Sequence, residues 1–222
     1  MNNELIIYRK PKSSTSEAIR TLRTNLQFSL IDSSQNVIMI TSSIPGEGKS
    51  FLSANLSIAF SMVNKKTLII DCDLRRGRQT KVFNVDCEVG LSNLLLDDIK
   101  NYKKYIIDTD IENLSVISNG MVPPNPSELL GSHKFKTLLT KLRKEYDIII
   151  LDCPPVSAVT DALILSALAD KIVIVCAYKK TPMGLLEETK KALGNASEKI
   201  AGVVLNRVKS KKNKYYNDRY YQ

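Results

Sequence analysis

The stretch from Asn36 to Phe60, "NVIMITSSIPGEGKSFLSANLSIAF", constrains this chain more than any other. A short apolar run stops at a turn holding Pro45, Gly46 and Gly48, and a helical pattern starts at once. Ser43 to Ser50 matches the phosphate-loop pattern GxxxxGK[ST] except at the first position, where Ser43 replaces glycine. Gly46 and Gly48 let backbone amides turn inward around phosphate oxygens at a helix N-terminus. Lys49 is placed to reach terminal phosphates, and the Ser50 hydroxyl to ligate Mg²⁺. The candidate nucleotide-binding set is therefore Gly46, Glu47, Gly48, Lys49, Ser50 and Phe51, with ATP and Mg²⁺ as the expected ligands.

Five more short apolar runs follow: "TLIIDCD", "LSVIS", "DIIILD", "KIVIVCA" and "IAGVVLN". Most lack polar alternation, as parallel strands do when helices cover both faces of their sheet. Amphipathic stretches lie between them. Asn125-Pro126 and Thr181-Pro182 each read as a cap residue followed by proline at the first helical position. Strand alternating with helix predicts an α/β, mostly parallel, doubly wound sheet of the P-loop NTPase class. We expect one domain over residues 1–206, followed by a flexible basic tail over 207–222.

Three aspartates carry the candidate chemistry. Asp71 and Asp73 close the second run, two residues apart, and on a continuing strand both would face one way. Asp152 ends "IIILD", the form of a Walker B strand. Close carboxylates repel unless a cation lies among them, and Mg²⁺ with ATP supplies one. Ser50, Asp71 and Asp152 are the expected metal set. Lys49, Asp71, Asp73 and Asp152 are the expected catalytic set, with Asp71 or Asp73 orienting the attacking group or accepting its proton. Arg75, Arg76 and Arg78 read equally as phosphate neutralisers and as a solvated basic loop.

The end of the chain raises a separate question. Tyr215, Tyr216, Tyr220 and Tyr221 sit among lysines with no apolar partner. Five of the nine net positive charges fall between Arg207 and Gln222, so the body is only mildly basic and nucleic acid is not an expected partner. The last strand points to the edge where parallel sheets bind ligands. From Arg207, extended chain carries Tyr215 and Tyr221 roughly 27 and 48 Å, at about 3.4 Å per residue.

No secretory leader is visible, and no run approaches 18 apolar residues, so a soluble cytoplasmic protein is expected. Cys72, Cys87, Cys153 and Cys176 form no CxxC pair, and His133 is the one histidine. Buried reduced thiols are expected, without a disulfide framework or a zinc site.

The P-loop "SSIPGEGKS", the strand "LIIDCDLRR", the Walker B "IIILDCPP", the N-terminal "EAIRTLR" and the tyrosine cluster together resemble the bacterial tyrosine kinases. "NGMVPPNPSELL" is similar to the family's segment between its second and third aspartate motifs. The likeness runs from about Ser16 to the end. It points to the cytoplasmic kinases of Gram-positive capsule and exopolysaccharide systems, whose fold is related to the Min and Par ATPases. It implies transfer of the γ-phosphate of ATP to tyrosines, first between subunits of a ring, with Tyr215, Tyr216, Tyr220 and Tyr221 as acceptors. It makes Asp73 the base and Asn206 a residue that reads adenine. It further implies a separate transmembrane activator that recruits the kinase to the membrane's inner face, a phosphotyrosine phosphatase, and substrates such as sugar-nucleotide dehydrogenases.

Two features bear on that resemblance. Gly77 stands where the family commonly has proline. Ile44 stands where the Min and Par ATPases carry a signature lysine, which argues against the alternative of a nucleotide-switched ATPase that binds membranes or partners. The helix expected over 15–30 places Ile19, Leu22, Leu26 and Leu30 on one stripe. Glu17 and Arg20 lie opposite, with Arg23 on the margin. Ser14-x-x-Glu17 reads as a capping box. The resemblance makes Glu17, Arg20 and Arg23 a contact between subunits.

Overall fold

Alternate residues of one strand enter two different cores, and this organises the molecule. The computed structural model describes residues 4–30, 35–85 and 89–208. In strand β1 (Val37–Ser42), Val37 and Met39 join one apolar cluster while Ile38 and Ile40 join the other. The period-2 geometry of a strand sends neighbours to opposite faces, and every residue of β1 is buried. Strands β2 (Thr67–Asp71) and β5 (Ile148–Asp152) flank the same interior and are buried throughout.

The other strands are β3 (Ile107–Asp108), β4 (Leu114–Ile117), β6 (Lys171–Ala177) and β7 (Ile200–Asn206). Among the described residues the order is β3-β4-β2-β5-β1-β6-β7. All pairs are parallel except β3 with β4. This is the mostly parallel, doubly wound sheet expected from the sequence. The two-residue antiparallel edge β3 is an addition that no apolar run announces.

Helices α1 (Ile6–Arg9), α2 (Ser14–Ser29) and α3 (Lys49–Ser61) cover one face. The second core takes buried side chains from α5 (Leu91–Leu96), α7 (His133–Leu142) and α8 (Asp161–Leu168). Helix α3 is buried nearly all round, with Leu56, Ile58, Ala59 and Phe60 fully buried, because α1 and α2 pack on its far side. Truncating such a residue, Leu56→Ala for example, costs about 2–5 kcal/mol. Short helices α4 (Gln79–Phe83) and α6 (Pro126–Gly131) and helix α9 (Met183–Ala192) complete the wrap.

Three local expectations change. Ser13, not Ser14, caps α2, accepting from the Ser16 N–H at 3.2 Å, while Glu17 pairs with Arg20 at 2.7 Å. Pro182 rather than Thr181 is the cap of α9, because the Thr181 hydroxyl is turned to the Glu47 carboxylate. Strand β2 ends at Asp71, so Asp73 falls in the following turn and does not share a strand face with it. The described cysteines, Cys72, Cys153 and Cys176, are free and buried as expected. Cys87 and the four-tyrosine cluster lie outside the described residues.

Candidate active site

The carboxyl ends of β1, β2 and β5 and the N-terminus of α3 meet at a cavity of about 690 Å³. Its floor is the phosphate loop: Gly46, Gly48, Lys49, Ser50 and Phe51 line it. Gly46 and Gly48 have φ of 77° and 101°, the left-handed region open to glycine, and Gly48 is the cap of α3. A side chain at Gly48 would also collide with Asn206. Ser43 is not left-handed, which explains why this position does without glycine. Its hydroxyl instead takes a 2.8 Å bond from Thr189 Oγ1, and its carbonyl accepts from Ser157 Oγ at 2.5 Å.

Glu47 departs from its expected role. Its side chain is fully buried and turned away from the cavity, where phosphate would repel it. The carboxylate accepts the Ile44 N–H at 3.0 Å, the Ala177 N–H at 3.2 Å and the Thr181 hydroxyl. Glu47 thus ties the loop to the end of β6, leaving only its backbone available to a ligand.

Asn206 is in the cavity wall as expected, but both ends of its amide are engaged. Nδ2 donates to the Glu47 carbonyl at 2.9 Å, and Oδ1 accepts the Arg207 N–H at 2.8 Å. It buttresses the phosphate loop.

Asp71 and Asp152 are register partners across β2 and β5, and both are buried. Burial raises Asp71 most, and the adjacent Asp152 adds to it, carrying its pKa to about 8 against the pull of backbone N–H groups. Burial also raises Asp152, opposed by Gln79, Lys49 and the hydroxyls of Ser50 and Ser53. Two such carboxylates favour a cation or a shared proton.

Their partners differ. Asp71 accepts three backbone N–H groups, from Asp73 at 3.2 Å, Arg78 at 2.7 Å and Gln79 at 2.9 Å. Its carboxylate thereby holds the turn that follows β2. Asp152 is held by side chains, Gln79 Nε2 at 2.7 Å and Ser53 Oγ at 3.1 Å. Gln79, which no motif singled out, also donates to the Ser50 carbonyl at 3.2 Å and so bridges the phosphate loop to Asp152. Among the described residues no group of three or more His, Cys, Asp or Glu is set to hold a metal. The pair of Ser50 and Asp152 fits a magnesium ion that takes its other ligands from substrate phosphates and water.

The remaining wall comes from the turn after β2. Asp73 lines the cavity, its Oδ1 accepting the Arg76 N–H at 2.9 Å. Arg75, Arg76 and Arg78 line it too, with Arg78 paired to Glu4 at 2.8 Å. Gly77 lies under Asn119, where any side chain would strike that residue, so the glycine follows from close packing.

On α2 the three expected contact residues separate. Glu17 and Arg20 pair at the surface, and Arg20 also donates to the Pro11 carbonyl at 2.8 Å. Arg23 donates to the Ala59 carbonyl at 3.1 Å, and among the described residues its buried Nε has no partner.

The fold and this site define a P-loop NTPase. Residues 35–201 match the model of a family described as an AAA domain. The tyrosine-protein kinase YwqD of Bacillus subtilis is 38% identical over 216 residues, 97% of this chain and 91% of that protein. The crystal structure of the chimerical protein CapA2B2 is 39% identical with a TM-score of 0.88, covering 95% of this chain and 92% of that one. The septum site-determining protein MinD of Pyrococcus horikoshii, complexed with Mg-ADP, is 26% identical with a TM-score of 0.66, over 80% of this chain and 72% of that one. The chain belongs to the bacterial tyrosine-protein kinase family.

Proposed function

We propose that this chain transfers the γ-phosphoryl group of ATP to protein tyrosines, first to Tyr215, Tyr216, Tyr220 and Tyr221 of a neighbouring copy. One observation carries the assignment of acceptors. Asn206 and Arg207, from which the chain leaves β7 toward those tyrosines, themselves line the cavity that holds Lys49 and Asp73. The tail over 207–222 therefore starts at the rim of a phosphate site, and the domain over 1–206 supplies the chemistry.

The roles follow from position. The α3 N-terminus and Lys49 hold the phosphates of ATP, the substrate, at the floor. Ser50 and Asp152 would hold Mg²⁺, which supplies charge neutralisation on the phosphate oxygens when bound. Asp73 takes the proton of the tyrosine hydroxyl as its oxygen bonds to the γ-phosphorus and the bond to the β-phosphate oxygen breaks. Asp71, Gln79 and Glu47 hold the two loops in place. Asn206 forms the wall on the nucleotide's side.

Helix α2 is the proposed contact between copies in a ring. Phe28 on it is 82% exposed, and Glu17 and Arg20 pair without entering the core. We further propose a cytoplasmic site at the membrane's inner face, reached through a separate membrane-spanning activator, and a role in capsular or exopolysaccharide synthesis and export. Among the described residues no helix is long and apolar enough to cross a membrane. A phosphotyrosine phosphatase and substrates such as sugar-nucleotide dehydrogenases complete this proposal.

The test is incubation with Mg·ATP and the activator's cytoplasmic segment, with phosphate located by mass spectrometry. Label on Tyr215 to Tyr221, lost in Lys49→Met, is the expected result. ATP hydrolysis with all four tyrosines unmodified would instead favour the Min-like ATPase suggested by the likeness to MinD. A tail-deleted active copy labelling a Lys49→Met copy would demonstrate transfer between subunits.

A further inference from the structure

Arg75 differs from the other arginines at the cavity because a buried acid holds it. Its Nε donates to Asp161 Oδ2 at 3.1 Å, and its Nη2 lies 3.5 Å from Oδ1. Asp161 is fully buried in the first turn of α8, and Ser127 on α6 donates to its Oδ1 at 2.5 Å. Two helices away from the phosphate loop thus cooperate to fix one guanidinium in the cavity wall. The Arg75 side chain stays 43% exposed, and its Nη1 has no partner among the described residues. A planar guanidinium gripped along one edge presents its remaining N–H groups in a fixed direction, a geometry suited to phosphate oxygens. Burying Asp161 without a partner would be costly, so the acid and the arginine hold each other in place.

We propose that Arg75 is a catalytic residue that binds the phosphoryl group as it moves from ATP to tyrosine, and that Asp161 and Ser127 are its positioning residues. This rests on the kinase reading above. The ligand chemistry is a terminal phosphate group, which can come from the γ-position of ATP or from the phosphotyrosine product. A preorganised donor at the developing charge stabilises the transition state more than the ground state, because it needs no reorientation when the charge appears. Arginine in lysine's place matters here, since the planar fork grips Asp161 along one edge and holds its other N–H groups in a fixed direction, whereas an ammonium is a point charge without that directionality.

The experiment compares wild type with Arg75→Ala, Arg75→Lys and Asp161→Asn. It uses the full chain with Mg²⁺, and measures ADP and ATP affinity, kcat and KM for tyrosine labelling, and inhibition by a phosphotyrosine peptide. ADP affinity within about twofold of wild type certifies a folded phosphate loop. We expect Arg75→Ala to lower kcat about 10²–10³-fold, the scale for a preorganised donor aimed at developing charge, with ADP affinity little changed. Arg75→Lys should recover little of that loss. Asp161→Asn, which keeps the shape and can still bond Ser127, should lower kcat about tenfold by releasing the guanidinium. A γ-phosphate contact shows as lost preference for ATP over ADP in Arg75→Ala, and a product contact as lost peptide inhibition. Either one supports the assignment. An Arg75→Ala protein with unchanged kcat and unchanged phosphate preference would overturn it, as would equal loss of ADP and ATP binding. If wild type labels no tyrosine, the kinase reading fails by itself, and the ATP-over-ADP preference still decides the role of Arg75.

Discussion

Asp71 and Asp152 stand side by side at the ends of neighbouring strands, equally buried, and yet they are held by different kinds of group. Asp71 is gripped by three backbone N–H groups that belong to the turn it shapes. Asp152 is held by an amide and hydroxyls on rotatable side chains. Backbone donors cannot leave without unmaking the turn, whereas side-chain donors can swing aside and free carboxylate oxygens for a cation. Burial and strand position therefore do not tell these two acids apart. The identity of their donors does.

The largest break in the comparison should come from Asp152→Asn. Tyrosine labelling should fall about 10³-fold or more, the scale of several kcal/mol of lost metal-borne stabilisation. The melting temperature should barely move, because an amide can still bond Gln79 and Ser53. Near-normal turnover in this variant would end the claim that Asp152 is the exchangeable acid. Asp73→Asn should cost somewhat less, about 10²–10³-fold in kcat, within the range for removing a general base. Nucleotide affinity measured on the same protein should stay unchanged, since Asp73 faces the cavity from the turn rather than from the phosphate loop.

Asp71→Ala should reverse the pattern. It leaves three N–H groups of the turn without an acceptor, at about 1–3 kcal/mol for each that water does not reach. A total near 3 kcal/mol, read by urea unfolding, should appear as a fall of roughly 6–12 °C in melting temperature at this chain length. Asp71→Asn should cost about half as much, because the amide oxygen can still accept from the Arg78 and Gln79 N–H groups. A fully stable Asp71→Ala protein with lost activity would make Asp71 a functional acid after all.

Much of this frame was legible in the sequence, because the phosphate loop and the six apolar strands depend on local pattern. Gly46, Gly48 and Lys49 announce themselves through the backbone geometry they permit, and β-branched runs announce buried parallel strands. The two-residue β3 carries too little pattern to be seen. What could not be read depends on partners far away in the chain. Gln79 is significant only because it reaches Ser50 and Asp152, and Asp161 only because it meets Arg75 from 86 residues away. Glu47 sits inside the motif, yet its direction is set by Ala177 and Thr181. Asp71 and Asp73 were paired by spacing, and the strand's end at Asp71 separated them.

The smallest effect sharpens the comparison most, because it treats the two acids as a pair. Both carboxyls are raised above the ordinary value of 3.8, Asp71 to about 8, so the folded protein without nucleotide holds protons there that the unfolded chain has released. Folding stability contributed by these groups is therefore present at low pH and lost as pH rises, for Asp71 between about 4 and about 8. The slope is at most about 1.4 kcal/mol per pH unit for each shifted group. Above about 8 the contribution of Asp71 has gone. Removing the Asp152 charge in Asp152→Asn relieves Asp71 of its like-charged neighbour, so Asp71 should ionise at lower pH and the decline should end earlier. Asp71→Asn should flatten the slope in the same way. Urea unfolding between pH 5 and 9, without nucleotide, separates these cases. A pH slope in the wild type no steeper than in either variant would mean that the two carboxyls are not raised in the folded protein. The difference between them would then rest on their hydrogen-bond donors alone.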